Sequence, residues 1–324
     1  MEYLVTGGAG FIGSHLCEKL VDAGHTVRAL DNLSTGRLEN VSTLEDNDNF
    51  ELIVDSIMNE EAVAEGVRRA DKIYHLAAAV GVKYIIDNPL ESIEINTRGT
   101  ENVLRAANRD KTPVFLASTS EIYGKNENIP FSEGDDRVLG STDLSRWSYS
   151  CTKALDEFLA FAFWREKNLP VVIGRFFNTV GPRQTGRYGM VIPRFVKQAQ
   201  LGRPITVYDD GQQTRAFIDV EDTTDVIIEL MNREDTYGQV FNIGGTERIS
   251  IEELAQKIIE ITESSSSIKY VPYEDAYESD FEDMRHRVPD VSRLQETLGF
   301  SPRYELEDIL VRIIDYFQTN EGFQ

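Results

Sequence analysis

Cysteines and long apolar runs are both scarce in this sequence. Its 324 residues contain two cysteines, Cys17 and Cys151, and neither belongs to a C-x-x-C pair, so we expect no disulfide and no metal site. Its longest apolar stretches have the length of a strand, which predicts no membrane partner. Met1 leads almost directly into the first predicted strand without a signal peptide, so we expect a cytoplasmic protein.

Positive charge is also in short supply. The chain has 55 acidic and 33 basic residues and a formal net charge of −22, which repels nucleic acids and anionic membranes, so no nucleic-acid partner is expected. An anionic small substrate would need arginines placed locally. The length allows one large domain or two unequal ones.

A tyrosine and a lysine stand four residues apart in Tyr149-Ser-Cys-Thr-Lys153. On a helix this spacing places both side chains on one face, about one turn apart. A free phenol has a pKa of about 10, and an adjacent ammonium group favours the phenolate and so makes a better base. By itself the pattern also fits a surface lysine beside a half-buried tyrosine.

The chain opens with a glycine pattern of the kind that binds phosphates. We predict a strand over 2–6, a helix over 11–23 and a strand over 25–30, with Gly7, Gly10 and Gly13 at the first turn. This arrangement lets a dinucleotide pyrophosphate approach the helix N-terminus. Asp31 follows the second strand, where a carboxylate accepts ribose hydroxyls and repels a 2′-phosphate, so NAD is favoured over NADP. Nearby Arg37 is the residue that favours NADP.

A hydroxyl-rich stretch, Ala117-Ser-Thr-Ser-Glu-Ile-Tyr-Gly124, follows the apolar run 114–116. With the two motifs above, it resembles the extended short-chain dehydrogenase/reductase family, in particular its nucleotide-sugar epimerases, dehydratases and decarboxylases. The resemblance covers nearly the whole chain. It implies an α/β protein with a Rossmann-type doubly wound parallel sheet. Residues 1–175 would bind NAD, with a returning segment near 210–245, and residues 176–324 would form a smaller, discontinuous substrate domain.

The motifs and the resemblance together predict the site residues. For catalysis they indicate Thr119, Glu121, Tyr149 and Lys153. For NAD they indicate Gly7, Gly10, Phe11, Ile12, Gly13, Asp31, Asn32, Ser34, Thr35, Gly36, Asp55, Leu76, Ala77, Ala78, Tyr149 and Lys153. For a UDP-sugar substrate they indicate Thr119, Ser120, Asn178, Thr185, Arg187, Arg215, Arg285 and Arg287. We expect Arg187, with Thr185, to bind a hexuronate carboxylate.

The resemblance leaves the reaction open, because a 4-keto sugar formed by Tyr149 and Thr119 has several fates. Dehydratases of the family carry an aspartic acid where this chain has Ser120, which argues against loss of water. Thr-Ser-Glu resembles the UDP-glucuronate decarboxylases and also occurs in 4-epimerases. We favour a 4-epimerase acting on UDP-glucuronate or UDP-glucose, and the alternative is a UDP-glucuronate decarboxylase. A 4,6-dehydratase or a non-catalytic NAD-binding regulator is less favoured.

The helix that carries Tyr149 continues as an apolar stretch through Trp164. A helix that is apolar nearly all round needs a second partner besides the sheet. We therefore expect a homodimer built from this helix and the predicted helix at 92–108. The alternative is that loops of the same chain cover it.

Overall fold

A seven-stranded parallel sheet forms the centre of the molecule in the computed structural model, which describes residues 1–186, 190–276, 282 and 284–319. Its strand order is β3-β2-β1-β4-β5-β6-β11, and every neighbouring pair is parallel. The order reverses between β1 and β4, and ligands bind at such a switch point in doubly wound sheets. The predicted Rossmann-type α/β fold is confirmed.

The strands of this sheet are β1 (Glu2–Thr6), β2 (Thr26–Asp31), β3 (Phe50–Val54), β4 (Lys72–His75), β5 (Val114–Thr119), β6 (Val171–Phe176) and β11 (Gln239–Ile243). The helices that flank it are α1 (Phe11–Asp22), α2 (Glu60–Arg68), α3 (Val82–Asp87), α4 (Pro89–Asp110), α5 (Ser148–Lys167), α7 (Val220–Met231) and α10 (Ser292–Leu298). Short 3-10 turns cover 38–44, 120–123, 145–147 and 234–236.

Alternation along the strands builds a core on each face of this sheet. In β1, Tyr3 and Val5 pack into one buried cluster and Leu4 packs into the other, as period-2 side-chain alternation requires. Strands buried on both faces read as continuous apolar runs, such as Val171-Val-Ile173 in β6. The carboxyl ends of the strands are thereby held at one edge.

The remaining elements form a smaller unit beside that edge. Its strands are β7 (Thr179–Val180), β8 (Ile205–Tyr208), β9 (Thr214–Ala216), β10 (Ile218–Asp219), β12 (Arg248–Ser250), β13 (Ile268–Val271) and β14 (His286–Arg287). Its helices are α6 (Val191–Gln200), α8 (Ile251–Ile261), α9 (Tyr273–Ala276) and α11 (Leu306–Thr319). A separate apolar cluster joins α6, β8, α8 and α11.

The chain returns from this unit to the main sheet with α7 and β11, and again with α10. β11 pairs with β6 in parallel, with Val240 opposite Ile173, so the second unit is discontinuous in sequence. The predicted boundary near residue 175 falls inside β6, which ends at Phe176. The division into an NAD-binding and a substrate domain stays a prediction.

The two helices predicted to form the dimer are α4 and α5. α4 runs from Pro89 rather than from 92, because proline fits the first turn of a helix. On α5, Leu155 and Phe158 are 54% and 61% exposed, and the homodimer stays a prediction. Within the described residues, no helix combines the length and hydropathy that crossing a membrane would take.

Candidate active site

A cavity lies at the switch point of the main sheet, at the carboxyl ends of β1, β2, β3 and β4. We call it the Asp31 cavity. Its described lining consists of Gly7, Leu30, Asp31, Asn32, Ser34, Thr35, Asp55, Ser56, Ile57, Ala77, Ala78, Ala79, Val80, Tyr84 and Ile95. Seven of the predicted NAD residues outside the glycine turn lie here: Asp31, Asn32, Ser34, Thr35, Asp55, Ala77 and Ala78.

Glycines bring the backbone close together beside this cavity. A Cβ on Gly13 would lie 2.1 Å from the Gly7 carbonyl oxygen, and one on Gly7, which has φ of +73°, would lie 2.9 Å from the Ala77 nitrogen. A Cβ on Gly36 would lie 2.7 Å from Oδ1 of Asp31. Only glycine fits such approaches. Phe11 and Ile12 begin α1 directly behind this turn.

The charge of the Asp31 cavity comes from carboxylates. Asp31 accepts hydrogen bonds from the amides of Ala9, at 3.0 Å, and Leu33, at 2.8 Å. Burial raises the pKa of Asp31, and these amides oppose that shift. The described lining contains no lysine or arginine, and Arg37 does not belong to it. Acceptors without a cation fit ribose hydroxyls and offer a 2′-phosphate no counter-charge, so these residues fit NAD.

The predicted catalytic residues meet where β5 ends and α5 begins. Thr119 is the last residue of β5, and its hydroxyl hydrogen-bonds Tyr149. The Ser150 hydroxyl donates to the Glu121 carbonyl at 2.8 Å and fixes the start of α5 against the 120–123 turn. Burial raises the pKa of Tyr149, and the negative charges of Glu121 and Asp156 raise it further.

Lys153 is bound differently from our expectation. Its ammonium donates to Oδ2 of Asp156 at 2.9 Å, and both side chains are buried, with 3% and 1% exposure. We expected Lys153 to favour the Tyr149 phenolate, but in this structure its charge is neutralised by a carboxylate three residues along the same helix. The i,i+3 spacing places Asp156 within reach.

A buried hydrogen-bonded chain lies next to this pair. His75 contacts Thr6 Oγ1 through Nδ1 at 2.8 Å and Thr100 Oγ1 through Nε2 at 3.1 Å. Burial and the charge of Lys153 lower the pKa of His75 to about 3, so the ring is neutral. The Thr6 hydroxyl also accepts from the Ala77 amide at 3.2 Å. The chain thus joins the wall of the Asp31 cavity to the surroundings of Lys153.

A second cavity, which we call the arginine cavity, lies between the 120–123 turn and the smaller unit. Its described charged lining is four arginines and one glutamate, a local formal charge of +3 in a protein of −22. Its described lining consists of Glu121, Arg146, Asn178, Thr179, Val180, Gln184, Met190, Val191, Ile192, Arg194, Tyr208, Gln213, Arg215, Phe217, Ile251, Tyr273 and Arg287.

Glu121 is the carboxylate of this cavity, and two arginines hold it. Oε2 accepts from Nη1 of Arg146 at 2.6 Å, and Oε1 lies 3.4 Å from Nη1 of Arg287. Burial opposes ionisation of Glu121, but the two guanidinium groups outweigh it and lower its pKa. Glu121 is therefore a carboxylate at neutral pH and has no proton to give.

The structure brings some predicted substrate residues together and leaves others apart. Asn178, Arg215 and Arg287 line the arginine cavity. Arg285 does not line it, because its guanidinium is paired with Asp210 at the surface. Nη2 of Arg285 lies 2.6 Å from Oδ2 of Asp210, and the Arg285 side chain is 57% exposed. Only the Arg285 carbonyl serves the cavity, as an acceptor for Nη1 of Arg215 at 3.0 Å.

Three more predicted substrate residues, Thr119, Ser120 and Thr185, do not belong to the described lining, and Ser120 is buried at 1% exposure. Arg187, which we expected to bind a carboxylate, lies outside the described residues.

Sequence reasoning missed two arginines of the site. Arg146 stands three residues before Tyr149, a spacing that shares a helical face and could have been noticed. Arg194 lies on α6 with its guanidinium 4.1 Å from the centre of the Tyr208 ring. No sequence motif flanks Arg194, so the sequence alone did not single it out.

Comparison with known proteins places the chain among nucleotide-sugar enzymes. The family model described as GDP-mannose 4,6 dehydratase matches residues 4–313. The chain is 44% identical over 320 residues to the UDP-N-acetyl-alpha-D-glucosaminuronate decarboxylase of Bacillus cytotoxicus, with 98% of each chain covered. It is 37% identical to UDP-glucuronic acid decarboxylase 1 of Danio rerio, over 97% of this chain and 72% of that protein.

The solved structures include a close match of a different activity. The UDP-glucuronic acid 4-epimerase of Bacillus cereus, solved in complex with UDP-glucuronic acid and NAD, superposes with a TM-score of 0.88 at 29% identity. The alignment covers 98% of this chain and 99% of that one. Decarboxylases and epimerases are thus both similar to this chain along its whole length.

Proposed function

Because the chain belongs to the GDP-mannose 4,6 dehydratase family, within the NAD-dependent nucleotide-sugar enzymes of the extended short-chain dehydrogenase/reductase group, we propose that it is a UDP-hexuronate decarboxylase. The observation that carries the proposal is the arginine cavity beside Tyr149. Its local charge of +3 matches the two phosphates and one carboxylate of a UDP-hexuronate better than a neutral hexose. The 44% identity to a decarboxylase supports it.

The reaction begins at Tyr149. Its phenolate takes the proton of the sugar 4-hydroxyl, while Thr119 hydrogen-bonds the same oxygen. NAD supplies, when bound, a reversible hydride acceptor with a positively charged ring. Since burial and two carboxylates raise the pKa of Tyr149, the phenolate needs positive charge nearby. Lys153 lies one helical turn away and adds positive charge here, although its pair with Asp156 reduces the effect.

The 4-keto sugar then has a carboxylate β to its ketone. The C5–C6 bond breaks, CO2 leaves, and the electron pair of that bond moves into the enolate between C5 and the C4 oxygen. A proton adds at C5, C4 would regain the hydride that bound NAD had accepted, and Tyr149 returns its proton to the C4 oxygen. The net reaction consumes one proton, releases CO2 and leaves the cofactor oxidised.

Glu121 argues against loss of water from the same intermediate. A 4,6-dehydratase needs a protonated acid beside the leaving hydroxyl, but Arg146 and Arg287 lower the pKa of Glu121, and its neighbour is Ser120. In the decarboxylase an ionised Glu121 stands close to the sugar, where its negative charge disfavours the substrate carboxylate and favours its departure as neutral CO2.

The second candidate is the epimerase that we favoured from the sequence. The match to the Bacillus cereus 4-epimerase supports it, whereas the curated relatives support decarboxylation better. The two reactions differ only after the 4-keto sugar has formed. If the carboxylate were held in the plane of the ketone, its bond could not break, and hydride would return to the other face.

The experiment is a product analysis. Purified protein with NAD is incubated with UDP-N-acetylglucosaminuronate and, separately, with UDP-glucuronate, and the sugar is followed by NMR and mass spectrometry. Release of CO2 with a UDP-pentose product is expected for at least one of them. A product of unchanged mass with an inverted C4 proton coupling would establish the epimerase. No turnover of either sugar would favour the non-catalytic regulator.

We also propose a homodimer built on α4 and α5. Leu155 and Phe158 on α5 and Leu90 on α4 expose between 54% and 70% of their surface, and apolar groups on adjacent helices suit a second copy of the chain. Phe158→Glu is expected to shift the mass measured by light scattering from dimer to monomer. A wild-type monomer at micromolar concentration would contradict the proposal.

A further inference from the structure

Arg146 is a buried cation that the reaction described above leaves without a role of its own. It lies in the 145–147 turn directly before α5 and is 4% exposed. It lines the arginine cavity and stands three residues before Tyr149 in the chain. Burying a guanidinium away from water costs free energy unless an anion pairs with it.

The position of Arg146 is fixed from several sides. Its Nη1 donates to Glu121 at 2.6 Å, and its guanidinium lies 5.4 Å from the centre of the Trp147 ring. The Trp147 indole in turn donates to Glu282 at 2.8 Å. The Nε atom of Arg146 has no hydrogen-bond partner among the residues that the structure describes. The Nε–H group of this planar guanidinium is thus a donor that a bound ligand could use.

The other three arginines of the cavity have positions that suit other parts of the substrate. Arg287 lies opposite Arg215 in the register of β14 and β9, so the two guanidinium groups come from neighbouring strands, and guanidinium groups suit phosphate oxygens. Arg194 lies over the Tyr208 ring and donates to the Thr206 carbonyl at 3.2 Å. Within the described lining, Arg146 is the arginine that approaches along the element carrying Tyr149.

We propose that Arg146 binds the C6 carboxylate of the substrate and so selects a hexuronate over a neutral hexose. The inference rests on the proposed function, because it takes the 4-hydroxyl to lie at Tyr149. C6 is two bonds from C4, so its carboxylate reaches the side of the cavity that Arg146 occupies. A planar guanidinium pairs with a carboxylate and also fixes its orientation, which decides whether the C5–C6 bond is aligned to break.

Equilibrium binding tests the proposal without relying on turnover. Isothermal titration of the NAD-loaded protein compares UDP-glucuronate with UDP-glucose, in the wild type and in Arg146→Gln. The wild type is expected to bind the uronate about tenfold or more tightly than the neutral sugar, and Arg146→Gln to remove this preference. UDP-glucose affinity stays within about twofold. An unchanged preference for the uronate in Arg146→Gln would overturn the proposal.

Two further variants of Arg146 and one control at Arg194 separate selectivity from folding and from general charge. Arg146→Lys keeps the positive charge and is expected to retain part of the preference for the uronate. If Arg146→Gln does not fold, the double variant Arg146→Met with Glu121→Gln replaces it, because it removes both partners of the buried ion pair. Arg194→Gln is the matched control, expected to weaken both ligands equally; a uronate-specific loss in Arg194→Gln would overturn the assignment to Arg146. A wild type that epimerises instead of decarboxylating would refute the proposed function yet leave this test intact.

Discussion

The two cavities of this protein are electrostatic opposites. The Asp31 cavity is formed by backbone, small side chains and the carboxylates of Asp31 and Asp55, whereas the arginine cavity is lined by four guanidinium groups around Glu121. The Asp31 cavity offers backbone amides and carboxylates that accept hydrogen bonds from hydroxyl groups. The arginine cavity offers fixed positive charge. In an acidic protein this division keeps two anionic ligands in separate places.

The largest effect is expected where the two ligands meet. Tyr149→Phe removes the proton acceptor without changing either cavity, so turnover should fall by about three orders of magnitude. NAD and UDP affinities should stay within about twofold of the wild type. The measurement is the initial rate of product formation by NMR, with both dissociation constants as controls. Full activity in Tyr149→Phe would rule out the mechanism.

Exchanging one charge in each cavity sharpens the comparison. Asp31→Asn should weaken NAD about tenfold or more and leave UDP unaffected, because a charge-assisted hydrogen bond contributes about 1.5–3 kcal/mol. Arg287→Gln should do the reverse. Both dissociation constants are measured for each variant by titration. If either substitution weakened both ligands alike, the cavities would not be independent.

Where the two ligands would meet, we expect the buried pair of Lys153 and Asp156 to influence the base Tyr149. Negative charge at Asp156 raises the pKa of Tyr149, so Asp156→Asn should lower it. Because the active form is the phenolate, the rate rises with pH through this pKa, and the rising limb of the pH–rate profile should move to lower pH. An unchanged pH–rate profile with normal NAD affinity would mean that Asp156 has only a structural role.

The matched change for this test is Glu157→Gln on the next residue of α5. Glu157 is also buried, but it pairs with Arg175 at 2.7 Å instead of with Lys153. Its removal should reduce stability, since a buried guanidinium loses its partner. It should not move the pH–rate profile as Asp156→Asn does.

The two cavities also differ in how far the sequence predicts them. Most of the Asp31 cavity comes from turns and strand ends within the first 80 residues, and Tyr84 and Ile95 complete its described lining. The local spacing of Gly7, Gly10 and Gly13 predicts the phosphate turn, whereas Asp55 was predicted from the resemblance. Tyr149 was predicted from its spacing to Lys153, and Thr119 from the resemblance. The i+3 spacing of Asp156 from Lys153 could also have been noticed in the sequence. The strength of their ion pair depends on the burial of both side chains, which spacing does not reveal.

The arginine cavity is assembled from side chains far apart in sequence. Arg285 and Arg287 have equivalent flanking motifs, and only the tertiary contact with Asp210, 75 residues away, decides which of them faces the cavity. The role of Arg146 depends on Glu121, 25 residues earlier. Such choices are made by packing, so the sequence named Arg215 and Arg287 but could neither exclude Arg285 nor find Arg146 and Arg194.

Salt should produce the smallest effect and separate the cavities once more. Raising NaCl from about 0.1 M to 1 M shortens the Debye length from about 10 Å to 3 Å. UDP-glucuronate, held by guanidinium charge, should lose affinity several-fold. NAD, held by backbone amides and hydrogen bonds to Asp31, should lose less. Titration of both ligands at each concentration measures the ratio. Equal salt dependence would mean that charge contributes no more to the arginine cavity than to the Asp31 cavity, since screening acts only on charge.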